Sequence, residues 1–254
     1  MKIICCIYFM LVLGTNWCFA QSRPIVFKVD HININAGFNI GGVAPTYIPP
    51  EVRKINSYSP IYPISFDIDV PFLHFNENLV IHSGLSLESR SMSGGVYVEN
   101  FKGVINLENT PFQNIFGYFT GTVESTFYNW YLCLPLRLNY SFNKTWSIFG
   151  GPYFSTAISR TFVGRVKNAY IRLGPPTSKK IEIPSGSFDL SDQIRRTDVG
   201  LHMGSKYTIN NKWDVRGSLN YGLTNVIDAP IENLPIKLHN VFFNLSLAYK
   251  VPIE

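Results

Sequence analysis

Cysteine is nearly absent from the body of this chain. Three of the four cysteines, Cys5, Cys6 and Cys18, fall within the first twenty residues, and only Cys133 follows. One cysteine excludes an intrachain disulfide framework there. Long apolar runs are missing as well. After residue 20 no stretch approaches the roughly 18 consecutive apolar residues of a membrane-crossing helix. Charge is sparse: Asp, Glu, Lys and Arg make up 15% of the residues, and the formal +5 calls for no nucleic-acid partner.

The first twenty residues read differently from the rest. Lys2 precedes an apolar run from Ile3 to Leu13, then Gly14 and a polar stretch ending in Cys18-Phe19-Ala20. A basic start, a short apolar middle and small residues before the cut predict a secretory signal peptide over 1–20, leaving one domain over 21–254. Asn16 and Trp17 are too bulky for Cys18 to be a lipidation site.

What the chain has in quantity is two-residue alternation. Within "WYLCLPLRLNY", Trp130, Leu132, Leu134, Leu136, Leu138 and Tyr140 share one parity, and Tyr131, Cys133, Pro135, Arg137 and Asn139 the other. Successive strand side chains point to opposite faces, so this is a strand with one apolar and one mixed face. Seven further segments have strand character: "HININAGFNIGG", "YPISFDIDVPF", "LVIHSGLSLESRS", "SIFGGPYFSTAISRTF", "TDVGLHMGSKYTI", "WDVRGSLNYGLT" and "NVFFNLSLAYKV". In the fifth segment along the chain, which begins at Trp146, Gly150, Gly151 and Pro152 blur the parity and leave its faces unassigned. Most reach the roughly 9–11 residues a tilted strand needs to cross a bilayer.

Connections between the eight segments alternate in length. Short turns fall at Asn76-Glu77-Asn78, Asn143-Lys144 and Asn210-Asn211-Lys212. Long gaps cover roughly 42–59, 93–126, 164–195 and 225–238. Aromatic residues flank the short turns: Phe72, Phe75, Tyr140, Trp146, Tyr207 and Trp213, with Tyr249 near the chain end. Tyr62, Tyr128, Trp130 and Tyr221 lie toward the long gaps. Two aromatic belts at strand ends suit two membrane–water interfaces. The expectation is an all-β fold: an eight-stranded antiparallel up-and-down transmembrane β-barrel with short periplasmic turns and long extracellular loops, in the outer membrane. A soluble barrel or sandwich has the same alternation with the opposite sense, apolar inside. Parity alone does not distinguish the two; the strict alternation of loop lengths and the aromatic strand ends favour the membrane.

The stretch "LPLRLNYSFNKTWSIFGGPYFS", followed by "RTDVGLHMGSKYTINNKWDVRGSLNYGLTNV", resembles the barrel domain of the PorT-like outer-membrane proteins of Bacteroidetes. A Pro- and Leu-bearing strand, a short turn and a G-x-Y strand carry the likeness, with a later D-x-G-x-x-x-G strand at Asp198, Gly200 and Gly204. The ending "YKVPIE" departs from the terminal aromatic common in such barrels, Tyr249 being the nearest one. The resemblance implies a fold and a location, not one activity.

Lumen parity collects Asp67, Asp69, His82, Glu88, Arg90, Arg137, Asp198, His202, Lys206, Asp214, Arg216 and Lys250. An eight-stranded barrel is just wide enough for side chains to fill it, so this set is expected to form a hydrogen-bonded ionic plug. The competing reading is a narrow pore for protons, ions or small solutes, using His82 and His202. A lipid-modifying enzyme needs a Ser–His pair on the outer surface. His82 and His202 have lumen parity and Ser205 the opposite one, so no catalytic residues, cofactor or metal are expected. Function is expected in the long loops. Arg165, Lys167, Arg172, Lys179 and Lys180 form a basic excess suited to lipopolysaccharide phosphates. The apolar set Val96, Tyr97, Val98, Phe101, Val104, Ile105, Phe112, Ile115, Phe116, Tyr118 and Phe119 suits an extended hairpin, a lid or a docking surface. The expected partners are outer-membrane lipid, lipopolysaccharide and another outer-membrane or secretion-system protein.

Overall fold

The computed structural model describes residues 25–106, 108, 115–228 and 237–253. The expected signal peptide and Phe112 lie outside the described residues. The eight alternating segments form strands β2 (His31–Pro45), β4 (Ile64–His74), β5 (Leu79–Ser89), β8 (Trp130–Ser141), β9 (Trp146–Ser159), β12 (Thr197–Thr208), β13 (Trp213–Gly222) and β14 (Leu238–Pro252). Each pairs antiparallel with its neighbour in chain order. β14 pairs with β2 from Leu238↔Pro45 to Pro252↔His31, which closes the barrel. Closure leaves no unpaired main-chain edge to lipid. A two-residue strand, β1 (Val26–Phe27), extends the β2 side of β4.

The three short turns are chemically the same turn. The side-chain carbonyl of Asn76 accepts from the backbone N–H of Asn78 and Leu79, both at 2.8 Å. Asn143 does so for Thr145 and Trp146, and Asn210 for Lys212 and Trp213. An asparagine that hydrogen-bonds the backbone two and three residues on fixes a tight reversal without a long loop.

Burial settles the sense of the alternation. Phe66, on β4, is 53% exposed while Asp69 on the same strand is 1% exposed. Ile34, Phe38, Leu134, Leu136, Leu138, Leu201, Met203, Leu245 and Leu247 are likewise exposed, and Asn33, Asn35, Asn39, His82 and Asp214 are buried. Apolar side chains outside and polar ones inside are stable in lipid and unstable in water. The fifth alternating segment now has faces: Trp146, Ile148 and Phe154 point outward, Ser147, Tyr153 and Ser155 inward. Gly151 there has φ of 158°, and a Cβ would lie 2.1 Å from the Leu136 carbonyl oxygen, so only glycine fits. At the short-turn end Trp146 stacks edgewise on Tyr207 at 4.9 Å, and Trp213 lies 4.8 Å from Tyr249.

The long gaps are not simple loops. Three of them supply five strands: β3 (Val52–Pro60), β6 (Met92–Ile105), β7 (Ile115–Phe127), β10 (Phe162–Arg172) and β11 (Ile181–Asp189). They form a second antiparallel sheet in the order β11-β10-β7-β6-β3. The apolar 96–127 segment is therefore the β6–β7 hairpin, one of its three expected forms. One face of this sheet packs Val98, Phe119, Val166, Ala169, Ile171 and Ile183 together.

Leu136→Arg places a second guanidinium one residue from Arg137 but on the lipid side. We expect it to cost about 2–4 kcal/mol near the midplane, measured as a shift in the urea-dependent folding equilibrium in lipid vesicles.

Candidate functional site

Eight strands converge their polar parity on one narrow lumen, and its charges balance. Five carboxylates (Asp67, Asp69, Glu88, Asp198, Asp214) meet five cations (Arg90, Arg137, Lys206, Arg216, Lys250), in three layers along the barrel. Nearest the short turns, the fully buried Asp214 receives Lys250 Nζ at 2.9 Å, with Lys206 Nζ at 3.9 Å.

The central layer is built on two aspartates two residues apart on β4, which therefore share a face. Arg137 spans them, Nη1 at 2.9 Å from Asp69 and Nη2 at 3.2 Å from Asp67. Arg216 Nη2 reaches Asp69 at 3.0 Å. Asn33 donates to Asp69 at 3.1 Å, Asn35 to Asp67 at 2.5 Å, and His82 Nδ1 lies 3.0 Å from Asp69. Five strands thus converge on one carboxylate pair. Charge-assisted bonds of this kind are roughly twice as strong as neutral ones.

The upper layer centres on Arg90, which is 1% exposed. Its Nε and Nη2 both lie 3.1 Å from Glu88 Oε2, and Nη1 is 2.8 Å from Asp198 Oδ2. The rings of Tyr131 and Tyr153 flank the guanidinium at 4.8 and 4.9 Å. Tyr153 and Asn240 also donate to Asp198 Oδ2, at 3.0 and 3.1 Å, and Thr224 to Oδ1 at 2.5 Å. Gly200 makes room for Tyr153: a Cβ there would fall 2.4 Å from its hydroxyl oxygen.

Between the central and upper layers lies a cavity of about 40 Å³ whose lining includes Asn35, Ser86, His202, Ser218 and Asn244. That is room for no more than a few waters. His202 lies between Phe149 and Tyr153, with ring centroids 6.2 and 6.3 Å away, while His82 sits on Asp69. Among the described residues no hydrogen bond joins the two histidines.

Above Arg90 the lumen is roofed by apolar side chains. Val43, Phe127, Phe162, Ile194, Val226 and Ile227 form one buried cluster, with Phe127 stacked on Phe162 at 4.1 Å. Each lies at or within a few residues of the long-gap end of a barrel strand, so the cluster covers the mouth.

The basic set of the third gap lies on the second sheet and its β10–β11 connection. Arg165 and Lys167 occupy the face of β10 opposite its buried Gly164 and Val166. Lys167 Nζ pairs with Glu124 at 2.7 Å. Lys180 and Arg172 lie 4.2 and 5.4 Å from the Tyr170 ring, Arg172 also donates to the Pro176 carbonyl, and Lys179 is exposed. Sequence reading missed a second such group, Lys102 near Phe116 and Tyr118 at 5.8 and 6.0 Å. It also missed Tyr131, Tyr153, Thr224 and Asn240 around Arg90. Tyr131 shares the parity of Arg137, which was the available signal.

A family model described as an outer membrane protein beta-barrel domain matches residues 19–228. The chain belongs to that family. No curated protein matches it. Among solved structures it is similar to Ail, the attachment invasion locus protein of Yersinia pestis, at 12% identity over 89% of this chain and 99% of that one, TM-score 0.33. A further Ail structure, in complex with the heparin analogue sucrose octasulfate, gives 11% identity, the same coverages and TM-score 0.32. Neisserial surface protein A gives 11% over 91% and 100%, TM-score 0.21.

Asp69→Ala removes the carboxylate shared by Arg137 and Arg216. Leaving buried charge uncompensated is expected to cost about 3–5 kcal/mol, seen as a lowered urea midpoint of the refolded barrel. Lys212→Ala, in an exposed turn, is the control and should stay within about 0.5 kcal/mol of the parent.

Proposed function

We propose that this protein is a non-enzymatic component of the outer-membrane surface, exported through a cleaved signal peptide over 1–20, whose extracellular sheet contacts lipopolysaccharide. The motifs around Asp198, Gly200 and Gly204 support a PorT-like member of the family. The lumen network acts as a structural plug: its five carboxylates and five cations balance as a set, and an apolar cluster roofs them.

The observation that carries the lipopolysaccharide reading is the pairing of cations with aromatic rings on the extracellular sheet. Lys102 beside Phe116 and Tyr118, and Arg172 and Lys180 beside Tyr170, combine positive charge with flat apolar surface. Phosphate groups pair with the cations and sugar faces lie on the rings. Arg165 and Lys179 extend the positive field, and Lys167 contributes less because Glu124 already holds it.

The test is titration of the nanodisc-embedded protein with phosphorylated and enzymatically dephosphorylated lipopolysaccharide. Replacing Lys102, Tyr170 and Lys180 together by alanine is expected to weaken binding of the phosphorylated form about tenfold, each cation–ring group contributing about 0.5–1 kcal/mol. Salt near 1 M, where screening acts within about 3 Å, should do the same. Equal binding of the dephosphorylated form would contradict the reading.

A further inference from the structure

The charged layers of the lumen are not one continuous network. Among the described residues, no hydrogen bond or ion pair joins the central layer around Asp67 and Asp69 to the upper layer around Arg90. The cavity of about 40 Å³ occupies the interval between them, and all eight barrel strands line it. Apart from Cys133, Pro135, Phe149 and Tyr153, its lining is polar.

Three of the lining residues each carry a buried polar atom that has no partner among the described residues: Asn35 Oδ1, His202 Nε2 and Arg216 Nε. Asn35 is 2%, His202 5% and Arg216 7% exposed. For two of these atoms the rest of the side chain fixes the chemistry. Asn35 turns its amide N–H to the Asp67 carboxylate at 2.5 Å, which leaves Oδ1 as an acceptor. Arg216 gives Nη2 to Asp69 at 3.0 Å, which leaves Nε–H as a donor. His202 Nε2 donates or accepts according to its tautomer. Buried polar groups are nearly always hydrogen-bonded in folded proteins, to protein or to ordered water.

We propose that this cavity binds a cluster of ordered waters that joins the central layer to the upper one. At roughly 10–15 Å³ for each water, the volume holds about three. An ion does not fit. A cation would meet Asn35 and the carboxylates of Asp67 and Glu88, but the guanidinium groups of Arg90, Arg137 and Arg216 line the same space. An anion would meet those guanidinium groups but also both carboxylates and Asn35 Oδ1. A ligand that donates and accepts at once satisfies Asn35, Arg216 and His202 together, and at this volume that ligand is water. The hydroxyls of Ser218 and Ser246 line the same cavity and serve as further partners. The apolar cluster above and the Asp214 layer below separate these waters from bulk solvent. The inference rests on the plug reading of the lumen and is independent of the lipopolysaccharide reading.

The test uses the full chain in nanodiscs. Deuterium and oxygen-17 relaxation dispersion of the solvent counts waters held for on the order of a microsecond or longer. Ser218→Leu, which fills the cavity, is expected to lower that count by about three, while the barrel keeps its heat-modifiable migration. In the unaltered protein the ring protons of His202 should show a cross-peak to long-lived water, a readout that needs no variant to fold. An unchanged count in folded Ser218→Leu, or no such cross-peak, would overturn the proposal. So would sodium-23 or chlorine-35 line broadening that Ser218→Leu abolishes, which would assign the cavity to an ion. A planar-bilayer recording of the same preparation separates the two readings. Missing waters in a non-conducting barrel sink the cluster alone, and missing waters in a conducting one sink the plug with it.

Discussion

Every charge placed inside this barrel has to be neutralised by another charge inside it. Lipid takes the apolar parity of each strand, so the polar parity is left in a lumen too narrow for bulk water. A lone guanidinium there would pay several kcal/mol in lost hydration. Arg90 shows the solution at its most complete, paired with two carboxylates and lying over two tyrosine rings. The Asp67–Asp69 pair solves the same problem from the opposite sign, drawing cations from β8 and β13. Since each layer takes side chains from several strands, register, closure and neutrality are one constraint. A slip of one residue would send every charge into lipid.

Closure in turn sets what the upper part of the molecule can do. Above the last charged layer, the barrel strands run into a dry cluster around Phe127 and Phe162, which fastens the second sheet to the mouth. The sheet is therefore packed onto the barrel mouth through this cluster. One of its faces buries an apolar core, the opposite face carries cations beside aromatic rings, and one edge is left open. Recognition groups on such a scaffold lose little conformational freedom when a ligand arrives.

Much of the barrel was legible in the sequence, because its strands keep a clean two-residue period and its three turns repeat one asparagine device. The sense of the alternation was not, since parity is identical for a lipid-facing and a water-facing barrel. Gly151 hid the faces of β9. The five upper strands were hidden by a different physical cause. β6 shifts register between Val98 and Phe101, where Asn100 has φ of 53°, and β10 between Lys167 and Tyr170, where Asn168 has φ of 48°. A bulge adds one residue and reverses the parity beyond it. β3 carries two such shifts. For the same reason Arg165, Lys167 and Arg172 looked like loop residues when they share one face of β10. The charged lumen residues were readable one by one, but their layering was not: which strands stand at equal height depends on stagger.

The account rests on a lumen sealed by its own ion pairs. The measurement that tests it most directly is single-channel conductance of the purified, heat-modifiable protein in planar bilayers. A lumen whose charges balance as a set, beneath an apolar roof, predicts no steady unitary current at any applied voltage that the bilayer withstands. A reproducible, ion-selective unitary current through the unaltered protein would contradict the account and make the inward charges a conduction path.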